Sequence, residues 1–375
     1  MLRRTRTLVG GAALATLAAV TAALPAHAAT APAAPPRAGS LQYVSLTRAG
    51  TTDVVYAEAR SGACTRCLSL TRLTDDGRHE TVVAAPPAGR TPPGEAAIPQ
   101  LVFANARAGL SFQGDVLRTT TLADTLDGGV AWVDVSPTLH GLSVLAAAAT
   151  PTTYVLVAAK CAPSGEHCTG ARLLTSPVTP LGWSTTPLGD AAGLGSFGAS
   201  VAAWGTNVWI DEATAQGAPR LAVSHDGGRT FRVHAAPALV AVDTCAISAT
   251  SAVSLWAHCP TGMLASYEHS VDGGASWRSI DVGVSSGTSG SWFDPVDGDL
   301  AFFATGAPAH RLDRITGPTS HVTDVAHLPI ASLSGLAFTD ELDGLAAGWA
   351  AEGSSVATVA RTDDGGHTWV AIALP

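Results

Sequence analysis

An octapeptide recurs along this chain: "TLDGGVAW" at 125–132, "SHDGGRTF" at 224–231, "SVDGGASW" at 270–277 and "TDDGGHTW" at 362–369. Each has Ser or Thr, any residue, Asp-Gly-Gly, two further residues, then Trp or Phe. The aspartates Asp127, Asp226, Asp272 and Asp364 are separated by 99, 46 and 92 residues, which is two, one and two periods of one unit. Worn copies stand where that period puts them. "TSPVTPLGW" keeps Ser176 and Trp183 but has Val178 for the aspartate, and "ITGPTSHVT" carries Pro318 and Thr323. "LTDDGRHET" keeps Thr74, Asp76 and Gly77, with Thr81 for the aromatic. The sites fall at 76, 127, 178, 226, 272, 318 and 364, seven in all. A period of about 40–50 residues holding several short strands is the signature of a β-propeller.

Within the last unit "GLAFTD", "DGLAAGWA", "SSVATVARTD" and "TWVAIAL" read as four strands, with the Asp-Gly-Gly turn between the third and fourth. The second unit repeats the scheme with "LVFANA", "AGLSFQG", "VLRTTTLAD" and "AWVDVS". Apolar residues alternate between Gly, Asn and Asp turns, and no stretch carries helical periodicity. The expected fold is all-β, a seven-bladed β-propeller of four-stranded antiparallel blades over 41–375. In the turn, the carboxylate accepts backbone N–H groups, glycine supplies positive φ, the hydroxyl bonds locally and the aromatic packs back on the blade.

These octapeptides resemble Asp boxes, also called BNR repeats, which occur in sialidases, sortilin-type receptors, some glucan hydrolases and propellers of the photosystem-II assembly factor type. The run "LAFTDELDGLAAGWA" followed by "TDDGGHTW" is most similar to the last group. The resemblance spans the chain after its leader and speaks to fold. It implies that Asp127, Asp226, Asp272 and Asp364, with Trp132, Phe231, Trp277 and Trp369, are structural and sit at the blade periphery. "TDDGG" lacks the spaced ligands and terminal Glu of a calcium loop, so neither metal nor cofactor is expected.

Residues 1–28 have a basic start, an apolar run from Leu8 to Leu24 and an Ala-His-Ala end, the pattern of a cleaved signal peptide. Arg3-Arg4 leaves the Sec and twin-arginine export routes both open. Residues 29–40 form a Pro/Ala-rich leader expected to be disordered. No later apolar run reaches the ~20 residues of a membrane span, so a secreted monomer is expected. After the signal peptide is removed, 18 basic residues face 30 acidic ones, a net charge of −12, and Lys160 is the only lysine. That balance argues against nucleic acid and anionic membrane surfaces as partners. Six cysteines suit an oxidising compartment and fall into the local pairs Cys64–Cys67, Cys161–Cys168 and Cys245–Cys259.

A sialidase-like site needs three arginines, a Tyr activated by Glu, and an Asp. The Arg-Ile-Pro tripeptide of that site is missing; "AIPQ" at 97–100 is as near as the chain comes. The adjacent pair Tyr267-Glu268 lies on a strand, where neighbours point to opposite faces, and reads as a partly exposed strand pair. Loop carboxylates such as Asp211, Glu212, Asp294, Asp297 and Asp299 form no specific constellation. What remains is display of loops to a protein or carbohydrate partner, with a divergent glycoside hydrolase as the alternative. "WGTNVWIDE" and "GSWFDPVDGD" mix aromatic and acidic residues, making Trp204, Trp209, Trp292, Phe293 and Asp294 the candidate contact residues.

Overall fold

The computed structural model describes residues 41–61, 68–87, 99–113, 121–161, 168–188, 194–214, 220–235, 245–260, 265–282, 291–305, 310–317, 321–351, 354 and 356–374. All of them fall in one compact unit, Pro32–Pro375. The signal peptide, the leader, the Cys64–Cys67 pair and Pro318 lie outside the described residues.

Among the described residues, twenty-eight strands form seven four-stranded antiparallel sheets, each built from consecutive strands in simple order. Blade 1 runs Leu41–Arg48, Val55–Ser61, Leu68–Thr74 and His79–Val83, and blade 7 runs Ser332–Phe338, Gly344–Trp349, Ala357–Thr362 and Val370–Ile372. Among the described residues the only helical element is a 3-10 turn, Ser136–Leu139, after blade 2. The first strand of each blade lies innermost and the fourth outermost, so the second and third strands are the ones buried on both faces. Phe302 and Phe303 on Leu300–Thr305, for example, are both fully buried although they point to opposite sides of blade 6. Outer strands such as Val370–Ile372 remain exposed.

Each hydrophobic cluster lies between two neighbouring blades. Val55, Ala57 and Leu73 of blade 1 meet Ala337, Leu345 and Val359 of blade 7. Tyr56 and Leu70 on the opposite side of blade 1 meet Phe103 of blade 2. The same arrangement joins blades 2 to 3, 3 to 4, 4 to 5, 5 to 6 and 6 to 7, which closes the ring. No blade mixes strands from the two ends of the described chain, so closure between blades 7 and 1 rests on side chains. Besides the apolar contact, Ser334 Oγ donates to Val44 O, Thr339 Oγ1 donates to Asp76 Oδ1 at 3.2 Å, and Arg78 pairs with Asp363 at 3.3 Å.

The octapeptides form the turns between third and fourth strands. In blade 5, Ser270 Oγ donates to Asp272 Oδ1 at 2.8 Å and accepts the Gly274 amide at 2.9 Å. The Asp272 carboxylate also takes the Ser276 amide at 2.9 Å and the Ser276 hydroxyl at 2.5 Å. Blades 4 and 7 repeat this with Asp226–Thr230 and Asp364–Thr368. In blade 2, Ala131 supplies an amide to Asp127 but no hydroxyl, so one bond is missing. The worn blade 3 turn keeps the serine's task, since Ser176 Oγ accepts the Gly182 amide at 2.8 Å. A second tie recurs: the turn's first glycine amide donates to the hairpin between the first and second strands, as in Gly227 to Thr206 O, Gly273 to Val253 O and Gly365 to Leu342 O. The worn blades 3 and 6 keep it through Val178 to Thr152 O and Gly317 to Asp299 O. Both sets of loops therefore lie on one face of the ring, called here the hairpin face.

Two disulfides are formed among the described residues. Cys161–Cys168 closes the loop between the second and third strands of blade 3, and Cys245–Cys259 ties the entry of blade 5 to the end of its second strand.

Candidate functional site

The ends of the first strands on the hairpin face surround a cavity of about 340 Å³ on the axis. Six blades contribute, through Thr47 and Arg48, 101–103, 147–149, 201–203, 247–250 and 293–295. The lining is mostly Ala, Val, Ile, Leu and Phe. Charge enters at two positions, Arg48 from blade 1 and Asp294 from blade 6.

Those two residues clamp the backbone of Phe338 in blade 7, one at its carbonyl and the other at its amide. Arg48 Nη1 donates to Phe338 O at 2.6 Å and Nη2 to Pro295 O at 3.0 Å. Asp294 Oδ2 accepts the Phe338 amide at 2.5 Å. Part of the Asp294 surface is accessible while its carboxyl group is enclosed, and this burial pushes its pKa up to about 6 against the pull of Arg48 and the Phe338 amide. Arg48 also borders a second cavity, of about 500 Å³, among the turns of blades 6, 7 and 1. There Asp297, Asp299, Asp340 and Glu341 gather, and Arg314 pairs with Glu341 at 2.7 Å.

The five candidate contact residues part company. Phe293 and Asp294 line the axial cavity. Trp204, at the tip of its hairpin, is 37% exposed. Trp292 is half-buried against the cluster between blades 6 and 7. Trp209 is fully buried and presents no surface to a partner: its indole Nε1 donates to Gly273 O at 2.9 Å, wedging blade 4 against the blade 5 turn. Strand alternation explains the split, since in Asn207–Thr214 the neighbours of Trp209 point the other way, toward blade 3. The pair Tyr267-Glu268 is likewise not partly exposed. Both residues are buried, Tyr267 against Phe293 and Phe303 and Glu268 accepting the Ser279 hydroxyl at 2.9 Å.

The octapeptide aspartates lie off the axis, outside the axial lining. Their carboxylates are spent on their own turns. In Asp226, bonds from the Thr230 hydroxyl and amide and from Ser224 hold the pKa well below the usual carboxylate range. The aromatics Trp132, Phe231, Trp277 and Trp369 close gaps between blades, and Trp132 Nε1 reaches back to Ala84 O at 2.9 Å.

Arg48 is the residue that sequence reasoning missed. In "SLTRAG" it is one arginine ending a strand, and nothing local distinguishes it from the other surface cations. Chemically, the axial cavity offers one guanidinium and one carboxyl. A pair of carboxylates about 5 Å apart, or a cluster of three arginines, is what glycoside hydrolysis of the types considered would ask for. The described residues lining this cavity bring neither together.

Neither a family model nor a curated protein matches this sequence. Solved structures do. A YCF48 bound to D1 peptide is 17% identical over 74% of this chain and 82% of its own, with a TM-score of 0.49. YCF48 from Cyanidioschyzon merolae is 14% identical over 72% of this chain and 83% of its own, with a TM-score of 0.47. A puromycin-hydrolyzing peptidase of Mycobacterium tuberculosis reaches a TM-score of 0.54 at 16% identity, covering 88% of this chain and 52% of that one. This chain thus spans about half of that peptidase, and at such identity the likeness is one of fold.

Proposed function

We propose that this protein is an exported, non-catalytic Asp-box propeller that binds a protein partner at the axial mouth of its hairpin face. The observation that carries the reading is the make-up of that mouth. Six blades supply a concave lining whose surface is part polar and part apolar, and Arg48 and Asp294 are already tied to the Phe338 backbone. Such a surface suits contact with another molecule better than proton transfer to it. The two disulfides fit an oxidising compartment, as export requires. A glycan partner fits less well, because the candidate aromatics do not converge into one stacking platform; Trp209 is buried and Trp292 is packed between blades.

The test is site-specific photocrosslinking in the exported proteome. A crosslinking side chain at Ala203, on the mouth, should capture one discrete partner, and the same group at Val233, on the exposed outer strand of blade 4, should not. Capture from Val233 alone, or equally from both positions, would move the binding surface elsewhere. Turnover of a glycoside substrate that disappears in Asp294→Asn would replace the reading with the hydrolase.

A further inference from the structure

We propose that the seam between blades 2 and 3 is a proton-sensitive joint: it stays closed while the Asp124 carboxyl is neutral, and its hairpin-face end opens to water when that carboxyl ionises. The inference concerns the ring itself and does not depend on the partner-binding reading.

Asp124 and Tyr154 are 6% and 0% exposed, and neither Asp124 Oδ1 nor the Tyr154 hydroxyl has a hydrogen-bond partner among the described residues. Asp124 stands directly opposite Leu110 on its blade, so both point to the same side, where Leu110 and Tyr154 belong to the apolar cluster between blades 2 and 3. The indole Nε1 of Trp183, packed against that cluster, is a third buried polar atom without a partner. Such atoms cost free energy when enclosed, and an enclosed charge costs more. The seam is also lightly fastened at its hairpin-face end, where both residues sit. Asp124 precedes Thr125, which opens the blade 2 turn, and Tyr154 is the second residue of Thr153–Cys161. The blade 2 turn lacks the hydroxyl bond to its aspartate, the blade 3 turn has Val178 in that place, and the fourth strand of blade 2 is only Val133–Asp134.

No cation compensates the carboxylate. The strands of blades 2 and 3 and the 3-10 turn between them bring Asp134, His140, Lys160 and Arg172 as their other charged or titratable side chains, and all four are exposed. Burial pushes Asp124 up to about 7 against the Thr125 amide, and its charge in turn raises the pKa of the Tyr154 hydroxyl. A carboxyl raised in the closed seam and ordinary in the hydrated one favours opening progressively as pH climbs from about 4 to about 7. Val102, Ala147 and Ala149 pack against this cluster and also line the axial mouth, so the opening reshapes one side of that mouth.

The test is hydrogen exchange of the intact protein, read segment by segment as protection factors, which remove the intrinsic pH dependence of exchange. Protection of Thr121–Thr125 and Thr153–Cys161 should fall at least about tenfold between about pH 5 and about pH 8. Asp124→Asn, close in shape to the neutral carboxyl, should keep its acid-side protection at the alkaline end. Tyr154→Phe, which leaves the carboxyl in place, should keep the fall. Wild-type protection that is unchanged or rises with pH, a fall that persists in Asp124→Asn, or a fall abolished by Tyr154→Phe would each overturn the proposal. Should Asp124→Asn fail to fold, the wild-type series still decides, because an equal fall in all seven blades would mean general loosening and no joint.

Discussion

The aspartate carboxylate of each octapeptide turn accepts two to four bonds within eight residues, and those bonds define what its loss should do. In Asp272 the partial burial of the carboxyl opposes ionisation, but the Ser276 hydroxyl and amide and the Ser270 hydroxyl outweigh it, so the pKa lies below the ordinary value. Asp364 follows the same pattern through Thr368 and Thr362. A depressed carboxylate stabilises the fold above its unfolded pKa and loses that contribution as pH falls through the folded one. Asp272→Ala should lower stability by about 1 kcal/mol at neutral pH, a modest figure because the turn is exposed. The deficit should shrink as pH falls below about 4, the ordinary unfolded value, and vanish once pH passes below the depressed folded value. Paired thermal melts at neutral and acid pH check both the size and its disappearance; a deficit that persists in acid would mean the carboxylate is not what matters. Chemical function in the folded fraction should be untouched.

At the scale of the blade, two devices repeat. One is the second glycine of the turn. Gly274 has φ +91°, and a Cβ there would meet Leu221 Cδ2 of blade 4 at 2.7 Å. The glycine therefore both permits the turn and admits the neighbouring blade's leucine. Gly274→Ala should cost more than Asp272→Ala, by urea denaturation of both variants side by side; the reverse order would place the strain elsewhere. The second device is an aromatic on the second strand whose polar atom reaches the next blade. Tyr56 Oη donates to Ala106 O at 3.0 Å, Trp209 Nε1 to Gly273 O at 2.9 Å and Trp256 Nε1 to Asp297 O at 3.0 Å. Trp209→Phe removes the bond and keeps most of the packing, so about 1 kcal/mol is expected; Trp209→Ala opens a cavity and should cost roughly 3–5 kcal/mol. Similar losses for both variants would show that the hydrogen bond, not the ring, holds blades 4 and 5 together.

The whole ring carries buried carboxyls whose charge it disfavours. Burial pushes Glu58 up to about 8, Asp124 to about 7 and Asp313 to about 6, the last despite Arg311. A carboxyl with a raised folded pKa binds its proton more tightly in the native state, so the linkage runs opposite to that of the turn aspartates. Its penalty is absent below the unfolded pKa and grows until pH passes the folded value. Thermal stability should accordingly peak near pH 5, falling on the acid side with the turn aspartates and falling again toward pH 8 with the buried groups. Glu58→Gln should flatten the alkaline side of that profile. A melting temperature that rises steadily from pH 5 to pH 8 would contradict the burial assignment.

The repeat made the fold legible before any coordinates. Seven sites at one period, four of them with a glycine pair and an aromatic at set offsets, specify seven turns, and turns that regular leave room only for four short strands each. Such local chemistry is written in contiguous residues. The inter-blade aromatics could also have been found, since Trp209, Trp256 and Phe302 stand 16 or 17 residues ahead of the positions 226, 272 and 318. The axial cavity could not. Arg48, Asp294 and Phe338 come from blades 1, 6 and 7 and meet only when the ring closes, over 290 residues between the arginine and the carbonyl it binds. Composition marks Trp209 and Trp204 alike as aromatic; which is a wedge and which an exposed tip depends on the strand face turned toward the next blade. Turn chemistry is local and belongs to the sequence, whereas convergence on an axis is a property of closure and belongs to the tertiary structure.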